Sequence, residues 1–117
     1  MIGRVLRLWA VLLALATTAT ACAAGVKTEA DAARLAGQAV LHYKLTSLKE
    51  ECFKLDLSQT KAYYYVGVRE VHNAECGGAS EIEPKLFTMR VRKRDGQITS
   101  DVYDGVTFRL VDHSKGK

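Results

Sequence analysis

The sequence has little of what long, repetitive or catalytic proteins are built from. It contains one proline, one tryptophan and three cysteines among 117 residues, and no internal repeat is visible. It has no glycine-rich phosphate loop, no Ser-His-Asp pattern and no pair of carboxylates at a catalytic spacing. The 17 Lys and Arg residues exceed the 13 Asp and Glu residues too narrowly for the footprint of a nucleic-acid-binding protein. We therefore expect one small domain that is not an enzyme, uses no cofactor and binds no nucleic acid.

The longest apolar run, residues 8–16, is too short to cross a bilayer, which takes about 20 residues. A basic segment with Arg4 and Arg7 precedes this run, and residues 17–24 after it are all small. This order is typical of a secretory signal peptide. We predict that residues 1–21 are a signal peptide and that the chain is exported to the periplasm.

Cys22 leaves two alternatives for the start of the mature chain. Thr20 and Ala21 before it fit the signal of a bacterial lipoprotein, in which the cysteine is lipidated, although Ala19 stands where leucine is usual. Lipidation also accounts for the odd cysteine, since the other two can pair with each other. The alternative is ordinary cleavage after one of the neighbouring alanines. A diacylated Cys22 would hold the protein at a membrane that the chain itself does not span.

The chain after the signal peptide is predicted to consist of a short tether (residues 22–27), one domain (28–112) and a tail (113–117). Thr28 followed three residues later by Asp31 is typical of a helix start, so a helix is predicted from there to about residue 44.

The buried face and the end of this helix are also predicted from spacing. Leu41, Leu45 and Leu48 recur at helical spacing and are predicted as its buried face. Ser47 together with Glu50 is predicted to cap a last short turn.

Alternating apolar and polar residues predict strands at residues 53–57, 62–71, 86–94 and 106–111. One face of the resulting sheet is apolar and is predicted as the core: Tyr64, Val66, Val68, Phe87, Met89 and Val91. The fold class is therefore α+β, with an N-terminal helix packed on one face of an antiparallel sheet of four to five strands.

Two Asp-Gly pairs predict hairpins in the second half of the chain. A two-residue loop at Asp95-Gly96 places Arg90 opposite Asp101 as an ion pair across the strands. A two-residue loop at the second pair, residues 104–105, would place Phe108 and Leu110 on the polar face of the sheet. Because a shift of one residue reverses every side chain, we predict an extra residue there, either a bulge or a three-residue loop.

His72 and Cys76, with Glu70 and Glu75 nearby, could suggest a metal or nucleophile site. Zinc needs three or four protein ligands, and the chain supplies few others. In an exported chain, Cys76 is expected to form a disulfide with Cys52. We predict that disulfide and no metal site, and we expect the chain after His72 to fold back over the junction of helix and first strand.

The face opposite the core carries arginine beside tyrosine, a combination that is favoured in protein interfaces. The basic run at residues 90–94 suits an acidic protein partner, a phosphate-bearing lipid or an anionic envelope polymer. The alternative is a solvated face, or a strand charged to prevent aggregation. The candidate binding surface comprises Tyr63, Tyr65, Arg69, His72, Arg90 and Arg92.

The run Val-Arg-Glu-Val-His-Asn-Ala-Glu-Cys-Gly-Gly at residues 68–78, followed by Pro-Lys-Leu-Phe at 84–87, resembles a group of small secreted proteins and lipoproteins of Gram-negative bacteria. That group commonly has Asp-Pro after Cys-Gly-Gly, where this chain has Ala79-Ser80. The resemblance implies an exported protein with paired cysteines, and it implies no particular activity.

The sequence as a whole predicts a periplasmic binding or inhibitor module with a protein partner in the cell envelope and contact with the membrane only through a lipid anchor. One alternative is a structural envelope lipoprotein. Another is a small enzyme that uses His72 with a carboxylate such as Glu70 as an acid–base pair.

Overall fold

The computed structural model describes residues 25–116 and shows one α-helix packed on one face of a five-stranded antiparallel sheet. The strands lie in the sheet in the order in which they occur along the chain. The elements are α1 (Glu29–His42), β1 (Phe53–Gln59), β2 (Tyr63–Glu70), β3 (Lys85–Arg92), β4 (Ile98–Ser100) and β5 (Arg109–Leu110), with 3-10 turns at Glu50–Cys52 and His113–Gly116.

This architecture confirms the predicted α+β class. The helix precedes all five strands but begins at residue 29, so it is not at the amino terminus of the chain. The predicted signal peptide and Cys22 lie outside the described residues. Within residues 25–116 no helix is long and apolar enough to cross a membrane.

Helix α1 begins as its sequence predicts and ends with a turn that the sequence did not reveal. The Thr28 side chain accepts a hydrogen bond from the Asp31 N–H at 3.1 Å, which satisfies one of the free donors at the helix start. At the other end, Lys44 adopts a left-handed backbone with φ 52°, and the Leu45 N–H returns to the Val40 carbonyl at 3.0 Å. This is the hydrogen-bond pattern of a Schellman C-cap, although lysine stands where glycine is usual.

The buried face of α1 is made of small residues, and the predicted leucine face is wrong. Because the helix ends at His42, Leu45 and Leu48 lie beyond it, and Leu41 is 47% exposed. Leu45 is still buried, since the C-cap turn directs it into the core. Short side chains let the helix backbone lie close to the sheet, and the buried helical residues are Ala32, Ala36, Ala39 and Val40.

The core face of the sheet confirms the alternation read from the sequence. In the β2–β3 pair, Val66 lies opposite Met89 and Tyr64 lies opposite Val91. All six residues predicted for this face are buried beneath α1. Burying a side chain of this size is worth about 1.5–3 kcal/mol, so this layer supplies much of the stability of the fold.

The β3–β4 hairpin has a different register from the predicted one. Arg90 lies opposite Thr99, and the connection is longer than the two residues expected. The Asp95 carboxylate causes this, because it binds the Arg92 side chain and accepts the Gln97 N–H at 3.0 Å. The predicted ion pair between Arg90 and Asp101 is therefore wrong, and the Asp101 side chain instead accepts the Thr88 N–H at 2.8 Å.

The β4–β5 connection also departs from the prediction. The last strand contains only Arg109–Leu110, and Leu110 pairs with Thr99, which is the register that a two-residue loop at residues 104–105 would give. No extra residue shifts the pairing, so the predicted bulge is wrong here. The register shift in the sheet lies instead in the β2–β3 pair, between Val68 and Arg69.

Candidate binding face

The sheet face turned away from α1 carries two rows of large side chains. Tyr63 and Tyr65 project from β2 because Tyr64 between them faces the core, and the register places them opposite Arg92 and Arg90 of β3. The two tyrosine rings lie 6.2 Å apart, centroid to centroid. Cross-strand neighbours on one sheet face are close enough to act as a unit.

Arg90 is held between two aromatic rings at the centre of this face. Its guanidinium lies 5.0 Å from the centroid of the Tyr63 ring and 4.2 Å from that of the Phe108 ring. Its Nε donates to the Thr99 hydroxyl at 3.2 Å. Cation–π contacts and a hydrogen bond thus fix a long side chain that would otherwise move freely. We call the surface formed by Tyr63, Tyr65, Arg90 and Phe108 the aromatic face.

Phe108 is the member of the aromatic face that was missed at the sequence level. A two-residue loop at the second Asp-Gly pair places Phe108 on this side of the sheet, but a phenyl ring is costly on a solvated face, so the sequence pattern favoured an extra residue in the loop. The structure reduces the cost by stacking the ring on Arg90. Two apolar residues nearby are more open: Leu110 is 56% exposed and Val106 is 80% exposed.

Beside Tyr65 lies a shallow hollow of about 240 Å³. Its floor is Gly67, which has no side chain, and two basic residues, Arg69 and Lys85, stand at its walls. Arg69 is paired with the Asp56 carboxylate at 3.1 Å and donates to the Glu83 carbonyl at 3.2 Å. The hollow therefore extends the aromatic face with a recess of the size of one side chain.

Arg92 lies on the outer face as predicted, but its side chain is only 25% exposed because it pairs with Asp95. Its Nε donates to the Asp95 carboxylate at 2.8 Å. The hydrogen bond from Arg92, with the Gln97 N–H, holds the pKa of Asp95 well below its usual range, and the same contact raises the pKa of Arg92. Arg92 thus stabilises the hairpin, and its charge is already partnered.

His72 is not part of the aromatic face. It lies beyond the far end of β2, and its side chain is 15% exposed. Its Nδ1 lies 3.0 Å from the Ala79 carbonyl, which can only accept, so Nδ1 carries a proton. Its Nε2 lies 3.4 Å from the Glu70 carboxylate. A Cβ at Gly78 would come within 2.5 Å of the ring, so the backbone covers the imidazole closely.

The disulfide between Cys52 and Cys76 is present, with the two Cα atoms 5.6 Å apart. The Val71 N–H donates to the Cys52 carbonyl at 2.8 Å, which extends the β1–β2 pairing by one residue pair. The chain after His72 then turns back at residues 73–77, as predicted, and brings Cys76 to Cys52. The Asn73 side chain accepts the N–H groups of Glu75 and Cys76 and shapes the turn. Among the described residues no group of three or more His, Cys, Asp or Glu side chains could hold a metal ion.

Comparison of the chain with protein-family models, curated proteins and solved structures found no significant match to any of them. The resemblance to small secreted proteins and lipoproteins therefore stays a prediction. The geometry of the aromatic face is the basis for the function proposed below.

Proposed function

We propose that this protein is an exported binding module of the cell envelope that holds a protein partner on its aromatic face. The observation that carries the proposal is Arg90, fixed between Tyr63 and Phe108 on a sheet face that no helix covers within residues 25–116.

The composition of this face supports a protein partner. Tyr, Phe and Arg are enriched at the centres of protein interfaces. Tyr and Arg are also enriched among the residues whose loss weakens binding most. Lysine is depleted there, and the aromatic face itself contains none. The neighbouring Leu110 and Val106 add apolar area at one side, and the hollow beside Tyr65 offers a recess on the other.

Rigidity supports the same proposal. Ordering a long side chain on association costs free energy, and a side chain that is already ordered avoids this cost. Arg90 is stacked and hydrogen-bonded before any partner arrives. The strands below it are fixed by the core, and the disulfide ties the connection after β2 to the start of β1.

Export to the periplasm, a lipid anchor at Cys22 and the absence of catalytic activity are parts of this proposal. A disulfide suits an oxidising compartment, and the signal-peptide pattern of residues 1–21 supports export. The alternative of an enzyme based on His72 and Glu70 is less well supported, because both imidazole nitrogens contact protein groups and the ring is covered by Gly78. We assign this pair a role in holding residues 71–84.

Co-purification from envelope extracts tests the proposal. The wild-type protein should retain a protein partner, and Arg90→Gln and Tyr65→Ser should lose it. Arg34→Gln is the matched control, because Arg34 is exposed on the helix on the opposite side of the molecule and its pairing with Asp31, at 3.8 Å, is weak. If the partner stays bound to the Arg90 and Tyr65 variants, or is lost equally in the Arg34 variant, the aromatic face is not the binding site.

A further inference from the structure

The chain enters the domain at one defined end of the sheet. The Val26 N–H donates to the Lys93 carbonyl at 2.7 Å, and the Lys93 N–H donates to the Ala62 carbonyl at 2.9 Å. Gly25 lies so close that a Cβ there would come within 3.2 Å of the Lys93 oxygen. Gly25 and Val26 thus lie fixed at the end of the sheet that holds the β1–β2 and β3–β4 turns. We call this end of the sheet the tether end.

The tether end is basic. Lysine and arginine converge there from three separate segments, and four of them surround a shallow cavity of about 400 Å³. Of the acidic groups close to it, Asp95 is paired with Arg92. Glu29 accepts only from the neutral Gln59 side chain at 3.2 Å, and Asp31 is 3.8 Å from Arg34, so the five basic residues still outnumber the acidic ones. The basic residues are Lys27, Lys61, Arg92, Lys93 and Arg94.

Three of these charges are directed to solvent. Lys27 and Lys61 are exposed and form no ion pair within residues 25–116. The Arg94 side chain is 78% exposed, and its distance of 4.0 Å to Asp95 makes only a marginal pair. They can therefore meet an external anion without giving up an existing partner.

The opposite end of the sheet has the reverse charge. Residues 71–84, which the disulfide holds there, include Glu75, Glu81 and Glu83 and no Lys or Arg. All three glutamates are exposed, but Glu83 is paired with Lys54 at 2.7 Å, so the negative charge of this end comes mainly from Glu75 and Glu81. Positive charge at the tether end and negative charge at the disulfide end give the domain a preferred orientation in an electric field.

We propose that the tether end docks on the anionic phospholipid headgroups of the membrane that carries the lipid anchor. Cys22 is three residues before Gly25, so an acylated Cys22 would hold the basic end within roughly 10 Å of the bilayer surface. That distance is close to the Debye length of about 8 Å at physiological ionic strength, so the charges are only partly screened. A lipid chain combined with a basic patch is a common pair of membrane signals.

This docking rests on the proposed function, because it requires export of the chain and acylation of Cys22. It adds to that function an orientation of the domain on the membrane. With the tether end on the membrane, the strands run away from the bilayer and the glutamate-rich loop lies farthest from it. The aromatic face then points sideways, where a partner in the envelope can reach it.

Vesicle binding of the mature chain, residues 22–117, tests the proposal once Cys22→Ser has removed the acyl chains. The chain should bind vesicles that contain phosphatidylglycerol and should not bind pure phosphatidylcholine vesicles. The double change Lys61→Gln and Arg94→Gln should lower binding about 25-fold, since each charge near an anionic surface contributes roughly a factor of five. The control, Lys49→Gln with Lys115→Gln, removes two exposed charges away from the tether end and should lower binding far less.

Four outcomes would overturn this inference. Equal losses in the two double variants would show an effect of net charge and not of location. Equal binding to both kinds of vesicle would rule out the headgroup charge as the cause. Binding to isolated cell-wall sacculi but not to vesicles, lost in the Lys61 and Arg94 variant, would make a polymer the ligand. Finally, mass spectrometry that finds no acyl group on Cys22 in the native host would refute the anchor, while partner capture by the aromatic face would remain a separate result.

Discussion

The two ends of the sheet hold their connecting loops in place by different physical means. At the tether end the connections are short, and one carboxylate, Asp95, orders the β3–β4 turn through hydrogen bonds to Arg92 and Gln97. At the disulfide end residues 71–84 form a long connection, which is held by a covalent bond and by His72 beneath Gly78. Short loops lose little entropy on ordering, so side-chain hydrogen bonds suffice for them, whereas a long loop needs a stronger constraint.

Removal of the disulfide should have the largest effect: it should lower the stability of the whole domain and should also loosen the disulfide end locally. Cys52→Ala with Cys76→Ala opens a link between residues 24 apart in sequence, which is worth roughly 3 kcal/mol in the chain-entropy description. Denaturant unfolding measures the loss, and hydrogen exchange should rise in residues 71–84 while the β3–β4 turn stays protected. Cys22→Ser is the control and should change nothing. A loss under about 1 kcal/mol would mean that non-covalent contacts alone hold this end.

The glycines after Cys76 sharpen the comparison, because they differ in their surroundings. Both have positive φ, 83° at Gly77 and 80° at Gly78, but only at Gly78 would a Cβ collide with the His72 ring. Gly77→Ala should cost roughly 1 kcal/mol for the backbone conformation alone. Gly78→Ala should cost at least about 1 kcal/mol more, since the ring has to move. Equal losses in thermal unfolding would contradict the close packing of His72.

Substitution of the N-cap residue of α1, at the tether end, should have a smaller effect on folding stability. Thr28→Ala removes the side-chain acceptor of the Asp31 N–H and should cost about 1 kcal/mol of folding free energy. Ser47→Ala is the matched control near the disulfide end. Ser47 was predicted as a cap, but the 3-10 turn Glu50–Cys52 follows Lys49 and has no side-chain cap, so the Ser47 change should be neutral. If Ser47→Ala lowers the stability, the Ser47 side chain does cap the turn as the sequence predicted.

Lowering the pH should destabilise the tether end, and this should be the smallest of the predicted effects. The pKa of Asp95 is lowered in the folded state, so its contribution to stability is complete above pH about 4 and is lost as the pH falls towards the folded-state pKa. The disulfide does not titrate, so it keeps its effect over this range. Asp95→Asn should remove part of the fall in melting temperature below pH 4. An identical acid profile for the variant would show that the carboxylate contributes no pH-dependent stability.

The sequence predicted the core of the sheet correctly because that information is local. In β2 and β3 each apolar residue is followed by a polar or an outward-facing one, and a strand has no other way to bury Val66 and Met89 together. The cap at Thr28 is equally predictable, since it depends on two residue types at a fixed spacing. The pairing of Cys52 with Cys76 followed from the number of cysteines together with the predicted export.

The errors have a different cause, which is a hydrogen bond that the pattern of residue types does not determine. The helix stops at His42 because Leu45 hydrogen-bonds back to Val40, with a lysine in the left-handed position where sequence patterns lead one to expect glycine. The hairpin register depends on where the Asp95 side chain lies, which the Asp-Gly pattern alone does not determine.

The candidate binding face was predicted only in part, because strand alternation determines some of its residues and contacts in three dimensions determine the others. Tyr63, Tyr65, Arg69, Arg90 and Arg92 do share the outer face, as strand alternation requires. His72 lies past the strand end, where alternation no longer applies. Phe108 joins the face only because Arg90 is available to stack on it, and that compensation becomes visible only in three dimensions.

The buried position of Val26 sets a limit on proteolytic maturation. Val26 is 5% exposed, belongs to the core and hydrogen-bonds to Lys93, so a protease that cut after it would remove part of the folded domain. Any cleavage that leaves the domain intact must therefore occur before residue 26. The fold itself thus sets the last position at which the predicted signal peptide can end, independently of the specificity of any peptidase.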